Sequence, residues 1–348
     1  MNLSQILFRL NVISGDYKKI SAFNEKHDHP VIRGLYRLGL IPMDLFVGYP
    51  RMKSYIRTMA CDNDPNKRPI RLAAVIIAKN ESEYIAEWMA YHKLIGVEKV
   101  YLYDNDSDDN MHEVLQPFID EGFVIYHQIH GNKMQGIAYT DALHRYGRLC
   151  KYMAFIDGDE MIAPVKQEDK VIDVLDEFFK NHPTAGGYAI NWAMFGSSHY
   201  DEKPKGLMSE CFIWRAEIGK PGTQMIKTIL RPECAIMWHH PHYAIYRMGW
   251  FAQNYQGKIV EQNENNLEKY EGLQINHYFT KSKAQWIKRR AMGQCMTGID
   301  KPRPMDDFYR HDHNDVLDDS ASYLSEKIKE LLKVYTNDGI KDKATCMA

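Results

Sequence analysis

Asp157, Gly158, Asp159 and Glu160 place three carboxylates within four residues, directly after the apolar run Tyr152–Ile156. Carboxylates that close repel one another, and a cation between them relieves the cost. The apolar run reads as a buried strand. The carboxyl end of a parallel strand is the usual ligand crevice of an open α/β sheet, and a cation there is Mg²⁺ or Mn²⁺. Gly158 leaves room for the backbone to approach a ligand. The competing reading is an acidic turn, because Asp-Gly is ordinary turn chemistry.

Other groups fall where the same crevice would lie. Lys79, Asn80 and Glu81 follow the apolar strand Leu72–Ala78. The loop Asp104–Asn110, DNDSDDN, begins like a calcium loop but lacks its central glycine, and Leu115 stands where the bidentate Glu belongs. After a second sheet strand, such a loop suits recognition of a base or ribose. The Asp104 carboxylate can accept a uracil imide proton, with Asn105 or Ser107 adding hydrogen bonds. WHHPH (Trp238–His242) has no cysteine to complete a zinc site, and His239 and His240 point apart in an extended chain. One of these, or His277 in NHYFTKS, can complete the coordination begun by Asp159. Lys281 and Lys283, then Lys288, Arg289 and Arg290, supply cations for a diphosphate leaving group. In NWAMFGSSHY (Asn191–Tyr200), Trp192 and Phe195 can stack on a sugar face, while Ser197, Ser198 and His199 reach hydroxyls.

The elements that must position these groups alternate. Strand Leu72–Ala78 leads through Asn80, with Glu83 completing a capping-box-like start, into a helix bearing Ile85, Trp88, Met89 and His92 on one face. Strand Lys99–Tyr103, helix Met111–Asp120, strand Phe123–Gln128 and helix Gln135–Tyr146 follow, then the acidic strand end. Such alternation implies parallel βαβ units with right-handed crossovers, and so an α/β fold with a doubly wound, mainly parallel sheet. Beyond Pro164, helix Val171–Lys180, strand Gly187–Trp192 and helices Ala284–Met292 and Ser322–Tyr335 are predicted.

A chain of 348 residues with a net charge of −2 is no dedicated nucleic-acid binder. Its six cysteines are scattered without C-x-x-C spacing, as in a reduced cytoplasmic protein. Met1–Leu10 lacks the features of a signal peptide, and no uncharged run reads as a membrane span. Through Arg71 the chain carries twelve Lys and Arg against six Asp and Glu. With the apolar stretches Ile32–Leu40 and Met43–Tyr49, this describes either a basic face resting on an anionic bilayer or a solvated helical extension. The expected place is the cytoplasm, including the inner face of a membrane.

Taken together, these segments resemble a metal-dependent glycosyltransferase of the GT-A fold, closest to family 92 and related family-2-like bacterial enzymes. The resemblance rests on Ile76–Trp88, Tyr101–Asp109, Gln135 with Asp141, Ile156–Glu160, Asn191–His199, Lys227–Pro232 and Ile275–Ser282, and spans roughly 70–293. It implies a GT-A catalytic domain at 71–295 (donor half 71–165, acceptor half 166–295), between an N-terminal helical extension at 1–70 and a C-terminal helical tail at 296–348. It implies a nucleotide-sugar donor, with UDP the expected nucleotide, and inversion by direct displacement. Asp157 would meet ribose or metal, Asp159 and His277 the metal, and Asp104 the base. Lys79, Asn80, Glu81, Asn105, Gln135, Asp141 and Lys281 would surround the donor nucleotide; Trp192, Phe195 and His199 would meet the acceptor. Glu210 stands where such enzymes carry their general base, with Asp201 its rival. The acceptor expected by analogy is a saccharide of a surface polysaccharide or a lipid-linked glycan. A nucleotidyltransferase would need a glycine-rich triphosphate loop that AKNESEY lacks, and a non-catalytic glycan-binding protein would have no use for Asp157 and Asp159.

Overall fold

The computed structural model describes residues 29–59, 64–290 and 304–345, with Arg9, Ile13, Ile20, Phe23 and Lys26 before them. The rest of the predicted 1–70 extension, the 295/296 boundary and the last two residues of the predicted helix at 284–292 lie outside the described residues.

The chain enters through α1 (Pro30–Met43), a π-helical turn (Asp44–Gly48) and α2 (Tyr49–Met59). Then β1 (Ile70–Ala78), α3 (Ile85–Leu94), β2 (Lys99–Asp104), α4 (Met111–Asp120), β3 (Val124–Gln128), α5 (Gln135–Tyr146) and β4 (Cys150–Phe155) alternate. Next come β5 (Glu160–Pro164), α6 (Val171–Asn181), β6 (Ala185–Met194), the single turn α7 (Met208–Cys211), β7 (Trp214–Arg215) and β8 (Ile226–Leu230). A hairpin of β9 (Ala235–His240) and β10 (Tyr243–Tyr246) precedes β11 (Phe251–Gln253), β12 (Ile259–Val260), β13 (Leu273–His277) and α8 (Lys283–Arg290). The remainder is α9 (Met305–His311), β14 (Val316–Leu317) and α10 (Ser325–Thr345).

Among the described residues the main sheet runs β12-β11-β6-β8-β4-β1-β2-β3, with β13 joining β6 to β5. β3, β2, β1 and β4 are mutually parallel, as the alternation predicts, while β8 runs antiparallel between β4 and β6. The continuous apolar run of β1 follows from burial on both faces. Leu72, Ala74 and Ile76 enter a core built with α3, α4, α6 and α10, whereas Ala73 and Val75 enter a second core with α5 and the β9–β10 hairpin.

One local expectation is corrected. Asn80 does not cap α3: it sits at φ 57°, a left-handed conformation that Asn tolerates, and its side-chain carbonyl accepts from the Asp108 N–H at 2.9 Å. Glu83 instead pairs with Lys203 at 2.6 Å. α3 starts at Ile85 without a side-chain cap.

The segment after α9 packs against the chain at 196–215. Asp312 accepts from the Ser197 N–H (2.6 Å) and hydroxyl (3.1 Å), and Asn314 from the Ser198 N–H (2.7 Å). A Cβ on Gly196 would lie 2.4 Å from the His313 carbonyl oxygen, so only glycine admits this crossing. Arg215 pairs with Asp318 at 2.6 Å.

Candidate active site

The carboxyl ends of β1, β2 and β3 are locked by their own polar loops. Asp104 is buried, with one oxygen accepting from the Ser107 N–H at 2.9 Å and the other from the Tyr126 hydroxyl. Asp109 accepts from the N–H groups of Ser82 (2.9 Å) and Met111 (3.1 Å), and Asp106 from Gly131 (3.1 Å). The acidic loop therefore spends these carboxylates fastening the first three loops together. Asn105 donates its amide to the carbonyls of Gly131 (3.0 Å) and Ile129 (3.3 Å). Lys79 remains exposed.

At the end of β4, Asp157 is held from two sides. One oxygen accepts from the Gln135 amide at 2.7 Å and the Tyr139 hydroxyl at 3.1 Å, both on the first turns of α5; the other meets the Lys227 ammonium at 2.7 Å. Lys227 is 1% exposed, enters from β8, and also lies 3.5 Å from Glu160. Burial would lower its pKa, but Asp157 and Glu160 raise it instead. Glu160 is fully buried and accepts from the Asp157 N–H at 2.8 Å. Burial drives its pKa well above the carboxylate range, against the pull of Lys227.

Asp159 forms the second centre. It is 3% exposed, with the Arg289 guanidinium of α8 at 2.7 Å and His277 Nε2 at 3.6 Å from the same oxygen. Burial alone would raise this carboxyl, but Arg289 and then His277 overrule it and hold it well below its ordinary value. Burial keeps the His277 pKa low despite Asp159. Glu81 overlies Gly158, its Cγ at ordinary contact (3.5 Å) from where a Cβ would stand, so the backbone here does not require glycine. Burial raises the Glu81 pKa against the field of Lys281 and Arg289. Lys281, at φ 51° and 6% exposed, lies over the Tyr84 ring at 4.7 Å.

The His277 ring packs 4.1 Å from Trp192, which in turn meets His242 at 4.9 Å. Trp192, Met194 and Phe279 line a cavity of about 790 Å³ beside this cluster, with Glu264, Arg310 and His311 among its polar lining. His242 Nδ1 donates to the Ile226 carbonyl at 2.6 Å, because a carbonyl can only accept. Burial pushes the His240 pKa down to about 4.

Several expected residues stand elsewhere. Phe195 is buried in the core against Tyr278, at 4.9 Å between rings, and offers no face to a sugar. His199 is exposed, near Trp214. Ser198 accepts from the N–H groups of Ile213 (2.9 Å) and Trp214 (3.1 Å), so its oxygen fastens a loop. Asp141 accepts from the Tyr103 hydroxyl at 2.8 Å and from Arg145 at 2.9 Å, so both oxygens are engaged by its own sheet and helix. Glu210, on α7, is half-exposed and pairs with Lys329 of α10 at 2.9 Å. Asp201 is exposed, and its carbonyl accepts from the Ala284 N–H at the start of α8.

Two residues were missed from the sequence. Lys227 supplies the countercharge for the Asp157–Glu160 pair. Glu87 is buried on α3 and accepts from the N–H groups of Met208 (2.6 Å) and Ser209 (2.8 Å) and the Ser209 hydroxyl (2.7 Å), fixing the turn that carries Glu210. An Asp or Glu at a helix start is a sequence signal, but here the cap comes from 121 positions away.

The donor set can be tested against a divalent cation. An ionised Asp159 beside a neutral His277 has the protonation states that a metal requires, and the Asp159 oxygen they share is buried without a hydrogen bond. These two residues fit such an ion, in competition with Arg289. Asp157 is directed at Lys227, and among the described residues no three His, Cys, Asp or Glu converge on one point.

The sheet and the charged cluster at its strand ends belong to a chain that matches a known enzyme family. Residues 74–294 match the profile of glycosyltransferase family 92. A family 92 protein of Ricinus communis is 32% identical over 95 residues, 27% of this chain and 17% of that protein. A family 92 protein of Oryza sativa subsp. japonica is 25% identical over 170 residues, 47% and 28% respectively. A galactan beta-1,4-galactosyltransferase of Arabidopsis thaliana is 32% identical over 106 residues, 27% and 21%. The chain thus spans less than a third of the length of these relatives. Among solved structures, S. aureus TarS in complex with UDP has 16% identity and a TM-score of 0.30 over 47% of each chain. The protein belongs to glycosyltransferase family 92, on an α/β fold with a mainly parallel central sheet.

Proposed function

We propose that this glycosyltransferase moves a sugar, with inversion, from a nucleoside diphosphate, UDP in the first instance, to a saccharide acceptor of a surface polysaccharide or lipid-linked glycan. One observation carries the reading. At the strand ends, Asp157 and Asp159 are each held in place by cations, and a cavity lined by Trp192 and Phe279 opens beside them.

The residues divide the work as follows. Gln135, Tyr139 and Lys227 hold Asp157 rigid for the donor ribose. Asp104 and Asn105 order the loops around the base, which Asn80 and Lys79 border. Glu81, Lys281 and Arg289 set the charge near the diphosphate, where developing negative charge gains most from fixed cations. A Mn²⁺ or Mg²⁺ ion held by Asp159 and His277 would supply leaving-group stabilisation. The Trp192 indole offers an apolar face to the acceptor ring. The acceptor hydroxyl attacks the anomeric carbon, the bond to the diphosphate breaks with its electron pair, and a carboxylate takes the hydroxyl proton. Glu210 is the proposed base and Asp201 its rival, because both stand on acceptor-side segments fastened to the catalytic core.

A thermal-shift panel of nucleoside diphosphates and their sugars, with and without Mn²⁺, tests the reading. A ligand of the native state raises the melting temperature as its concentration exceeds Kd. The expected result is a shift with UDP or a UDP-sugar, larger with Mn²⁺. A response only to triphosphates would favour a nucleotidyltransferase, and a response to glycans alone a binding protein. Glu210→Gln should then slow transfer with donor binding intact; unchanged turnover moves the base to Asp201.

A further inference from the structure

The N-terminal helices expose what a water-facing surface normally hides. Along α1 and the π-helical turn, Val31 (60% exposed), Leu35 (64%), Leu38 (61%), Leu45 (55%) and Phe46 (80%) stand in solvent. Val31, Leu35 and Leu38 recur at helical spacing, so they share a single stripe rather than being scattered. The opposite side of α1 is half-buried, with Tyr36 stacked on Phe23 at 3.9 Å between ring centroids. The stripe is therefore left over after packing.

Its charge points to one occupant. Residues 29–59 carry Arg33, Arg37, Arg51, Lys53 and Arg57 against Asp44 alone, and Asp44 is 2% exposed. Arg37 on α1 and Lys53 on α2 are exposed. Apolar side chains flanked by basic ones, with no exposed carboxylate, match a bilayer surface bearing anionic headgroups. No helix among the described residues is long and apolar enough to cross a membrane. We propose that α1 and the following π-helical turn dock on an anionic lipid bilayer, inserting Leu35, Leu38 and Phe46 among the headgroups. α2 packs on β9 of the β9–β10 hairpin, whose connecting His242 touches Trp192 of the crevice. Docking thus brings the lipid surface to the element that borders the acceptor cavity. The inference rests on exposure and charge and stands whether or not the proposed donor is correct.

Vesicle flotation of the full chain provides the test. It should float with phosphatidylcholine vesicles containing phosphatidylglycerol, float little with phosphatidylcholine alone, and lose binding as salt rises. Leu35→Ser combined with Phe46→Ser should cut the partition coefficient about tenfold or more. Arg37→Glu combined with Lys53→Glu should do so about tenfold on anionic vesicles only. Circular dichroism should show all variants folded, since these side chains are exposed. The proposal is overturned if the wild-type chain stays with the unbound fraction, or if the serine variant floats as well as wild type. It is equally overturned if the chain is a dimer that the serine variant dissociates while vesicles capture nothing.

Discussion

The strand tip at 157–160 and the helices at 30–59 treat unfavourable groups in opposite ways. At the tip, Asp159 and Glu160 are buried and Asp157 is partly so, and Lys227 and Arg289 are brought from 70 and 130 positions away to answer Asp157 and Asp159. In the helices, large apolar side chains are left in water with no partner among the described residues. In the first region the charges are largely answered from within the chain, and each one helps fix the next. The second leaves a row of large apolar side chains exposed on its outer face. A set of buried charges answered by other charges suits chemistry, whereas exposed apolar side chains suit contact.

The contrast can be broken or sharpened by substitution. Lys227→Met leaves Asp157 and Glu160 without their buried countercharge and should cost about 3–5 kcal/mol, read as a lower urea midpoint at unchanged slope. A loss of a few tenths would mean that the tip is not internally balanced. Asp159→Ala should lower kcat about 100- to 1,000-fold in a sugar-transfer assay, because the group that orders Arg289 and His277 is gone. Near-normal turnover would remove Asp159 from the mechanism.

Acid should weaken the core next. His92 is fully buried, and its neutral ring donates from Nδ1 to the Trp88 carbonyl at 2.8 Å while Nε2 accepts from the Ile162 N–H at 3.4 Å. Burial pushes its pKa down to about 3. The unfolded chain then binds a proton that the native chain refuses, so stability falls as pH drops below about 6.5 and continues falling toward the folded value. Between pH 7 and 5 this one group should cost on the order of 2 kcal/mol in denaturant titrations, and His92→Gln should flatten that slope. Leu35→Ser, on the exposed stripe, should change stability by no more than about 0.5 kcal/mol. A larger loss would mean that the stripe is packed after all.

Much of the frame was legible because it is local. Helix Gln135–Tyr146 forms at its predicted limits, and β1 carries the expected apolar run. The period-2 and period-3.6 patterns that reveal such elements need only neighbours in sequence. The capping reading at Asn80 failed because a distant loop, at Asp108, competes for its side chain. Phe195 was misjudged because an aromatic in a core and one at a sugar site look alike in a string of letters. The acidic tip was visible as a cluster, but its pairing was not. That Lys227 answers Asp157 and Glu160, and that Glu87 holds the α7 turn, depends on strand order and helix placement that no spacing encodes.

The crossing at Gly196 has a consequence for the order in which the protein matures. The parallel strands β1 to β4 pair with one another without a strand from beyond residue 304, whereas the Ser197–Ser198 loop has its donors met by Asp312 and Asn314. On a translating ribosome those strands can therefore pair before the 196–198 loop closes. The loop at 196–198 closes only when the segment at 312–318 has cleared the exit tunnel and threaded against a glycine with no side chain to bar it.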